Sequence, residues 1–309
     1  MKKIFIDGKS GTTGLRIYDR LAQRTDIELI TLSDAMRRDP GARAAALNAA
    51  DYAFLCLPDA AAREAVNFVE NPDTVILDTS TAHRTEDGWV YGFPELGAQF
   101  QKAVKTGKRI AVPGCHASGF IALVYPLVQA GILPQDALLC CHSLTGYSGG
   151  GKTMIAQYAE NGRDVLLDTP RQYGLTQAHK HLKEMQALTG LAQAPLFCPI
   201  VADFYSGMLV TVPLFASQLN DAGIEEVRAV YAGVYRGPIV SYIPDADEAG
   251  FLSAGKLSGY DAMEISVFGN EERILLCARY DNLGKGASGA ALECLNLAMG
   301  ADPAAGLNL

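Results

Sequence analysis

The chain has little histidine, almost no tryptophan and no surplus of positive charge, and the last of these removes a class of function. It holds 5 His and 1 Trp in 309 residues, and its 26 Lys and Arg are outnumbered by 34 Asp and Glu. The formal charge of −8 leaves no basic footprint for nucleic acid and no polybasic anchor for a membrane surface. No apolar run approaches the roughly 20 residues of a membrane-spanning helix. Met1-Lys2-Lys3 leads straight into a short apolar strand and then glycines, too little for the apolar segment of a signal peptide, so a cytoplasmic protein is expected. The 7 Cys are an odd number without Cys-x-x-Cys spacing, which suits reduced thiols better than a disulfide or zinc framework, and no metal site is expected. Low-complexity tracts, internal repeats and Pro-rich linkers are lacking too. What remains is 49% hydrophobic and 19% charged with 31 Gly, the make-up of an α/β enzyme long enough for about two domains.

The stretch Arg109-Ile-Ala-Val-Pro-Gly-Cys115-His-Ala-Ser-Gly-Phe120 organises the reading. Its apolar run predicts a strand, Pro113-Gly114 breaks it, and a helix-like apolar pattern follows. Cys115 then stands at a helix N-terminus, where unpaired N–H groups and the macrodipole favour thiolate over thiol. A solitary Cys is more often a small buried hydrophobe. The Pro-Gly turn argues for exposure at a sheet's carboxyl edge instead, which makes Cys115 the candidate nucleophile.

Upstream, Lys3–Asp7 reads as a strand, followed by Gly8-Lys-Ser10-Gly11-Thr12-Thr13-Gly14 and a helical run through Leu21. Strand, glycine turn and helix is the layout of a dinucleotide-binding unit: glycines let the backbone approach a pyrophosphate, whose charge meets the helix N-terminus. The next strand ends at Ser33-Asp34. Arg37 and Arg38 follow within a turn, and guanidinium groups suit a 2′-phosphate, so NADP is favoured over NAD. Further strands at 51–57, 74–78 and 110–112 continue a doubly wound parallel (Rossmann) sheet. Pro58, Thr79-Ser80 and Cys115 fall at the carboxyl ends where ligands are expected.

Beyond about residue 135, strands predominate: 137–144, 209–215, 239–243, 263–268 and 273–280, with helices at 153–161 and 176–188. That pattern predicts an α+β domain on a mixed or antiparallel sheet. The expected division is 1–115 for cofactor binding, completed by a C-terminal helix within 284–309, and 116–283 for catalysis and oligomerisation. Gly146-Tyr-Ser148-Gly149-Gly-Gly151-Lys-Thr153 matches the phosphate loop of nucleoside triphosphatases. No downstream strand ends in a well-placed acidic residue for a metal, so a floor under the nicotinamide or substrate is the better reading.

A base is sought in His179-Lys-His181-Leu-Lys-Glu184. On a helix, His179 and His181 would stand about 200° apart and could not serve one site, whereas His181 and Glu184 share a face. His116 is expected to point elsewhere along the first turn after Cys115. A His oriented by a carboxylate beside a thiol is a general-base arrangement.

Pro113-Gly-Cys115-His-Ala, Tyr91-Gly-Phe-Pro-Glu-Leu96, the His-Lys-His-x-x-Glu segment and Asp281-Asn-Leu-Gly-Lys-Gly-Ala287, taken together, resemble the N-acetyl-γ-glutamyl-phosphate reductases, in their shorter form. The family is grouped with the aspartate-semialdehyde dehydrogenases, the runner-up within the class. A non-catalytic NADP-binding protein is the runner-up outside it. The resemblance implies NADPH-dependent reduction of an acyl phosphate through a Cys115 thioester, with His181 as catalytic histidine and Asn282 at the cofactor. It also implies a small-molecule substrate and a homo-oligomer, dimer or tetramer. One departure stands out. Asp203-Phe-Tyr205-Ser206-Gly207 lacks the arginine that longer-form members carry before the glycine, and Arg84, with Ser80, is the substitute expected at the substrate carboxylate.

Overall fold

In the computed structural model, which describes residues 1–309, the chain divides into two units. The first comprises Met1–Pro94, Ala98–Gly114 and Ala287–Leu307; the second comprises Glu95–Gly97, Cys115–Gly286 and Asn308–Leu309.

The first unit alternates strand and helix: β1 (Lys2–Asp7), α1 (Thr12–Leu21), β2 (Ile27–Ile30), α2 (Pro40–Ala49), β3 (Tyr52–Leu55), α3 (Asp59–Asn67), β4 (Val75–Asp78), β5 (Val90–Tyr91), α4 (Ala98–Thr106) and β6 (Arg109–Ala111). Its six strands are all parallel, in the order β2-β1-β3-β4-β6-β5. A parallel sheet is covered on both faces and needs near-continuous apolar strands; β3 and β4 are buried at every position. Successive side chains enter opposite cores. Ile4, Ile6, Phe54 and Leu77 pack with Ile17 and Leu21 of α1, whereas Phe5, Ala53, Leu55 and Ile76 pack with Leu47 of α2 and Ala62 of α3. Because β1 lies between β2 and β3, the sheet changes its direction of growth there. The crevice beyond the carboxyl end of β1 is therefore the topological switch point.

The second unit holds α5 (Cys115–Gln129), β7 (Cys140–Gly146), α6 (Gly151–Ala159), β8 (Arg171–Gln172), α7 (Leu182–Thr189), β9 (Leu196–Ala202), β10 (Met208–Phe215), α8 (Ile224–Val234), β11 (Val240–Tyr242), β12 (Met263–Gly269) and β13 (Arg273–Tyr280). They form one mixed sheet, β11-β12-β13-β10-β7-β9-β8. Along β10, Met208, Val210, Val212 and Leu214 are buried, while Leu209, Thr211 and Pro213 on the other face are only half-buried. Helix α5 lies on β10 and β13 and is buried from His116 to Val128. Pro126 inside it has no N–H to donate to the Ala122 carbonyl. The hydroxyl of Tyr235, just past α8, donates to that carbonyl instead, at 2.6 Å, so the orphan acceptor is satisfied. The last helix, α9 (Gly289–Met299), returns to the first unit, where it packs on α4 and adds Leu292 and Leu295 to the core.

The strands expected at 209–215, 239–243, 263–268 and 273–280 are present within a residue or two, and the one placed at 137–144 runs from Cys140 to Gly146. The helix expected over 176–188 is shorter. Residues 176–181 are turns and irregular backbone, and α7 begins at Leu182. Gln177 adopts φ +55°, and its side-chain amide donates to the Phe197 carbonyl at 2.7 Å and accepts from the Phe197 N–H at 2.9 Å. Pinning to β9 overrides the local helix preference.

Candidate active site

In the first unit, the loop after β1 is built from backbone. Gly8 has φ +84°, and a Cβ there would lie 2.2 Å from the Cys56 carbonyl oxygen; a Cβ on Gly14 would lie 2.6 Å from the Gly8 carbonyl oxygen. The Gly11 N–H closes the turn onto Gly8 O at 3.0 Å. Gly11 then precedes α1 with no side-chain cap, and the first turn, opening with Thr12 and Thr13 just past Ser10, holds no acidic residue. A turn with no room for a Cβ at Gly8 or Gly14, ending in an uncapped helix N-terminus at the switch point, fits a dinucleotide pyrophosphate.

Ser33 to Arg38 are exposed at the end of the adjoining strand. Arg37 pairs with Asp34 at 3.2 Å, and Arg38 forms no ion pair. Pro58 is exposed and precedes α3. Ser80 is turned inward: its N–H and hydroxyl donate to the Asp78 carboxylate at 2.9 and 2.7 Å. The Arg84 guanidinium is buried and donates to the Val112 carbonyl at 2.9 Å and the Thr79 carbonyl at 3.1 Å. It ties together the loops that follow β4 and β6.

In the second unit, Cys115 is the first residue of α5 and is half-buried. Tyr280 anchors this turn, accepting from the Gly119 N–H at 3.0 Å and donating to the Cys115 carbonyl. Gly286 approaches so closely that a Cβ on it would lie 3.1 Å from the Cys115 Cβ.

Three imidazoles gather beside this helix start. His116 is buried, with Nδ1 2.6 Å from the Ser143 hydroxyl and Nε2 2.7 Å from the Tyr173 hydroxyl. Its ring centroid lies 5.7 Å from that of His179 and 5.6 Å from that of His181. His179 and His181 are 4.7 Å apart, edge to face, and the His181 N–H donates to His179 Nδ1 at 3.2 Å. One expectation is thereby corrected: His179 and His181 do not stand on opposite sides. The face argument assumed a helix, but both residues precede α7, with His181 at its N-cap position. The His181–Glu184 pairing is present, with Nε2 4.0 Å from the carboxylate and both side chains buried.

Burial and the neighbouring His179 push His116 down to about 3, so it is neutral at ordinary pH. Burial, aided by the nearby Cys115, pushes the Tyr173 phenol up, which keeps its proton in place. A protonated phenol donating to His116 Nε2 leaves Nδ1–H to donate to Ser143. His179 is also lowered, by burial and by Lys180. Among the other cysteines, burial raises Cys56 to about 12 and Cys277 to about 11, so these remain thiols. Tyr173 and Ser143 had no sequence signal; they become partners of His116 only because β8 and β7 bring them to one sheet face.

In the Gly146–Thr153 segment, Gly146 N, Tyr147 N and Ser148 N donate to the carbonyls of Gly207, Phe204 and Tyr205 at 3.0, 2.9 and 3.0 Å, so the first three amides of the loop are already bound. Asn282 is buried between two loops: its side-chain N–H₂ donates to the Ser148 hydroxyl at 3.0 Å, and its oxygen accepts from the Gly207 N–H at 3.0 Å. Gly149 adjoins this amide. No group of His, Cys, Asp and Glu side chains is arranged to hold a metal ion, and no helix is long and apolar enough to cross a membrane.

The comparisons with known proteins agree with this division of labour. Residues 3–103 match the semialdehyde dehydrogenase NAD binding domain, and residues 115–282 match the semialdehyde dehydrogenase dimerisation domain. The chain is 46% identical to N-acetyl-gamma-glutamyl-phosphate reductase of Burkholderia ambifaria, over 96% of each protein. It is 45% identical to N-acetyl-gamma-glutamyl-phosphate reductase 2 of a Nostoc species, over 99% of each. The chain belongs to the N-acetyl-gamma-glutamyl-phosphate reductase family. It is an oxidoreductase with a nicotinamide-dinucleotide-binding first unit and a dimerisation-type second unit. Among solved structures, aspartate semialdehyde dehydrogenase II of Vibrio cholerae, complexed with ASA, superposes with a TM-score of 0.71 at 14% identity, covering 97% of this chain and 98% of that one. The Candida albicans aspartate semialdehyde dehydrogenase with NADP gives 0.65 at 14% identity, covering 96% of this chain and 98% of that one. At such identities the likeness is one of fold.

Proposed function

We propose that the protein reduces N-acetyl-L-glutamyl 5-phosphate to N-acetyl-L-glutamate 5-semialdehyde and phosphate, using NADPH, as a step of arginine biosynthesis in the cytoplasm. The observation that carries the chemistry is Cys115 at the first position of a buried helix beside three clustered imidazoles. An identity of 45–46% over nearly the full length of reductases of that name supports the substrate.

Cys115 thiolate attacks the acyl carbon, phosphate leaves, and a thioester forms. NADPH, when bound, supplies the hydride that reduces the acyl group. The N–H groups of the first turn of α5 face the charge that develops on the oxygen next to Cys115. His181 gives a proton to that oxygen and takes it back as the aldehyde departs. Glu184 holds the Nε2 side of the ring, which assigns the transfer to Nδ1. His116 stays neutral and orients the cluster, through Ser143 on one side and Tyr173 on the other.

The cofactor would be held by Gly8, Ser10, Gly11, Thr12, Thr13 and Gly14 at the pyrophosphate and by Ser33 at the adenosine ribose. Arg38, which forms no ion pair, would meet the 2′-phosphate, with Arg37 turned to Asp34. Pro58, Ser148, Gly149 and Asn282 complete the proposed cofactor set; Asn282 serves by fixing the Ser148 loop. The domain boundaries first expected, 1–115 with 284–309 and 116–283, are kept, with Cys115 the last residue of the first stretch. We assign a homo-oligomer, with the half-buried sheet face of Leu209, Thr211 and Pro213 as the surface that a second copy covers.

The reverse reaction tests the assignment. Supplied with phosphate and NADP, the protein should form NADPH faster from N-acetylglutamate semialdehyde than from aspartate semialdehyde. The opposite preference would return the runner-up substrate.

A further inference from the structure

Four of the six arginines of the second unit are neutralised by carboxylates. Arg163 is held by Asp168 and Asp203, Arg228 by Glu225, Arg273 by Glu272, and Arg279 by Glu248 and Glu264. Arg236 is exposed and donates to the Ala232 carbonyl. Arg171 differs from all of these. Like Arg236 it forms no ion pair, but it is only half-exposed, and its buried Nε has no hydrogen-bond partner. Its one hydrogen bond runs from Nη2 to the Tyr158 hydroxyl at 3.0 Å, and Tyr158 is itself stacked on Tyr147 at 4.4 Å. A guanidinium stripped of part of its water and given no anion is costly, so it marks a place where an anion belongs.

Its position in the sheet says which anion. Arg171 stands opposite Val201, which stands beside Thr145, and the next pairing brings the Tyr173 N–H onto the Pro199 carbonyl at 3.0 Å. Side chains two residues apart on a strand share a face. Arg171 and Tyr173 therefore lie on the same face, that of Ser143 and Thr145, and Tyr173 ends on His116, the residue after Cys115. The two side chains leave the strand about 6.5–7 Å apart, a span comparable to the carbon chain that separates the acyl phosphate of the proposed substrate from its α-carboxylate. Arg84, the carboxylate partner expected from sequence, has two of its nitrogens engaged on carbonyls of the first unit.

Resting on the reductase reading, we propose that Arg171 binds the α-carboxylate of the substrate, with the Tyr158 hydroxyl holding the guanidinium in place. It takes the part left vacant where Ser206 precedes Gly207.

The test compares two aldehydes in the phosphate- and NADP-dependent reverse assay: N-acetylglutamate semialdehyde, and 4-acetamidobutanal, the same chain without its carboxylate. Wild-type turnover of N-acetylglutamate semialdehyde is established first, and its absence would refute the reductase reading itself. Given that activity, Arg171→Ala should raise KM for the carboxylated aldehyde by roughly ten- to a hundredfold, the worth of a lost charged hydrogen bond. The rate on 4-acetamidobutanal should stay unchanged, which also shows that the variant is folded. Arg171→Lys should recover part of the selectivity, since it restores the charge without the fork. An unchanged ratio between the two aldehydes, or an equal loss on both, overturns the assignment.

Discussion

The working parts of the first unit are backbone, whereas those of the second are buried side chains. Gly8 and Gly14 have no room for a Cβ, and Gly11 precedes the uncapped start of one helix. The second unit instead assembles imidazoles, a phenol and a hydroxyl from four separate places in the chain around one cysteine. Backbone devices bind a cofactor common to many enzymes. Side-chain devices commit the protein to one reaction. Substitutions in the two regions should therefore separate binding from chemistry.

Cys115→Ala should break the comparison most visibly. Turnover should fall below about a hundredth of wild type, because covalent catalysis has no bypass at that level, while NADPH binding persists. Fluorescence titration of NADPH alongside the rate assay checks both halves. Residual turnover above that mark would remove Cys115 as the nucleophile.

Next in size is His181→Asn, expected to lower the reductive rate by about 10²–10⁴. His179 is a graded case rather than a silent one, because its Nδ1 accepts the His181 N–H and its ring packs against it. His179→Ala should cost about three- to tenfold, the worth of one neutral hydrogen bond. Measured side by side, a larger loss at His179 than at His181 would exchange the two roles.

That revision shows where sequence reading stops. The glycine loop was legible because its spacing is contiguous and its requirement is purely steric, and the strand-turn-helix at Cys115 for the same reason. The pairing of His181 with Glu184 was found, since three residues suffice to define it. The relation of His179 to His181 was not, because it depended on where α7 begins. Gln177, clamped to Phe197 of a distant strand, decides that start. Tyr173, Ser143 and Arg171 carry no local signature at all. Their significance comes from register across β7, β9 and β8, which no spacing within the chain reveals.

In the first unit, the Arg37→Ala and Arg38→Ala double variant should weaken NADPH by roughly ten- to a hundredfold while leaving NADH nearly unaffected. The single variants sharpen the point. Arg37 already has Asp34 as its partner, so Arg38→Ala should carry most of the loss. An equal effect on both cofactors would return the two arginines to ordinary solvated surface.

The smallest effect concerns stability rather than rate, and it follows from the burial of His116. An unfolded histidine titrates near 6.5, whereas His116 in the folded protein does so at about 3. Between those values the unfolded chain binds a proton that the folded one excludes, so stability is full above the unfolded value and declines as pH falls below it. The slope reaches at most about 1.4 kcal/mol per pH unit for this one group. Asp7 in the first unit acts in the opposite sense: burial raises its pKa, so its folded form takes up a proton first and acid does not weaken it there. Denaturant midpoints measured from neutral pH down to about 4.5 should therefore fall for the wild type. They should fall less steeply, by up to one proton's worth, for His116→Gln, which keeps polar atoms near Ser143 and Tyr173 but cannot titrate. Parallel curves for the two proteins would mean that His116 protonates in the folded state as readily as in the unfolded one, and the neutral orienting role assigned to it would fall.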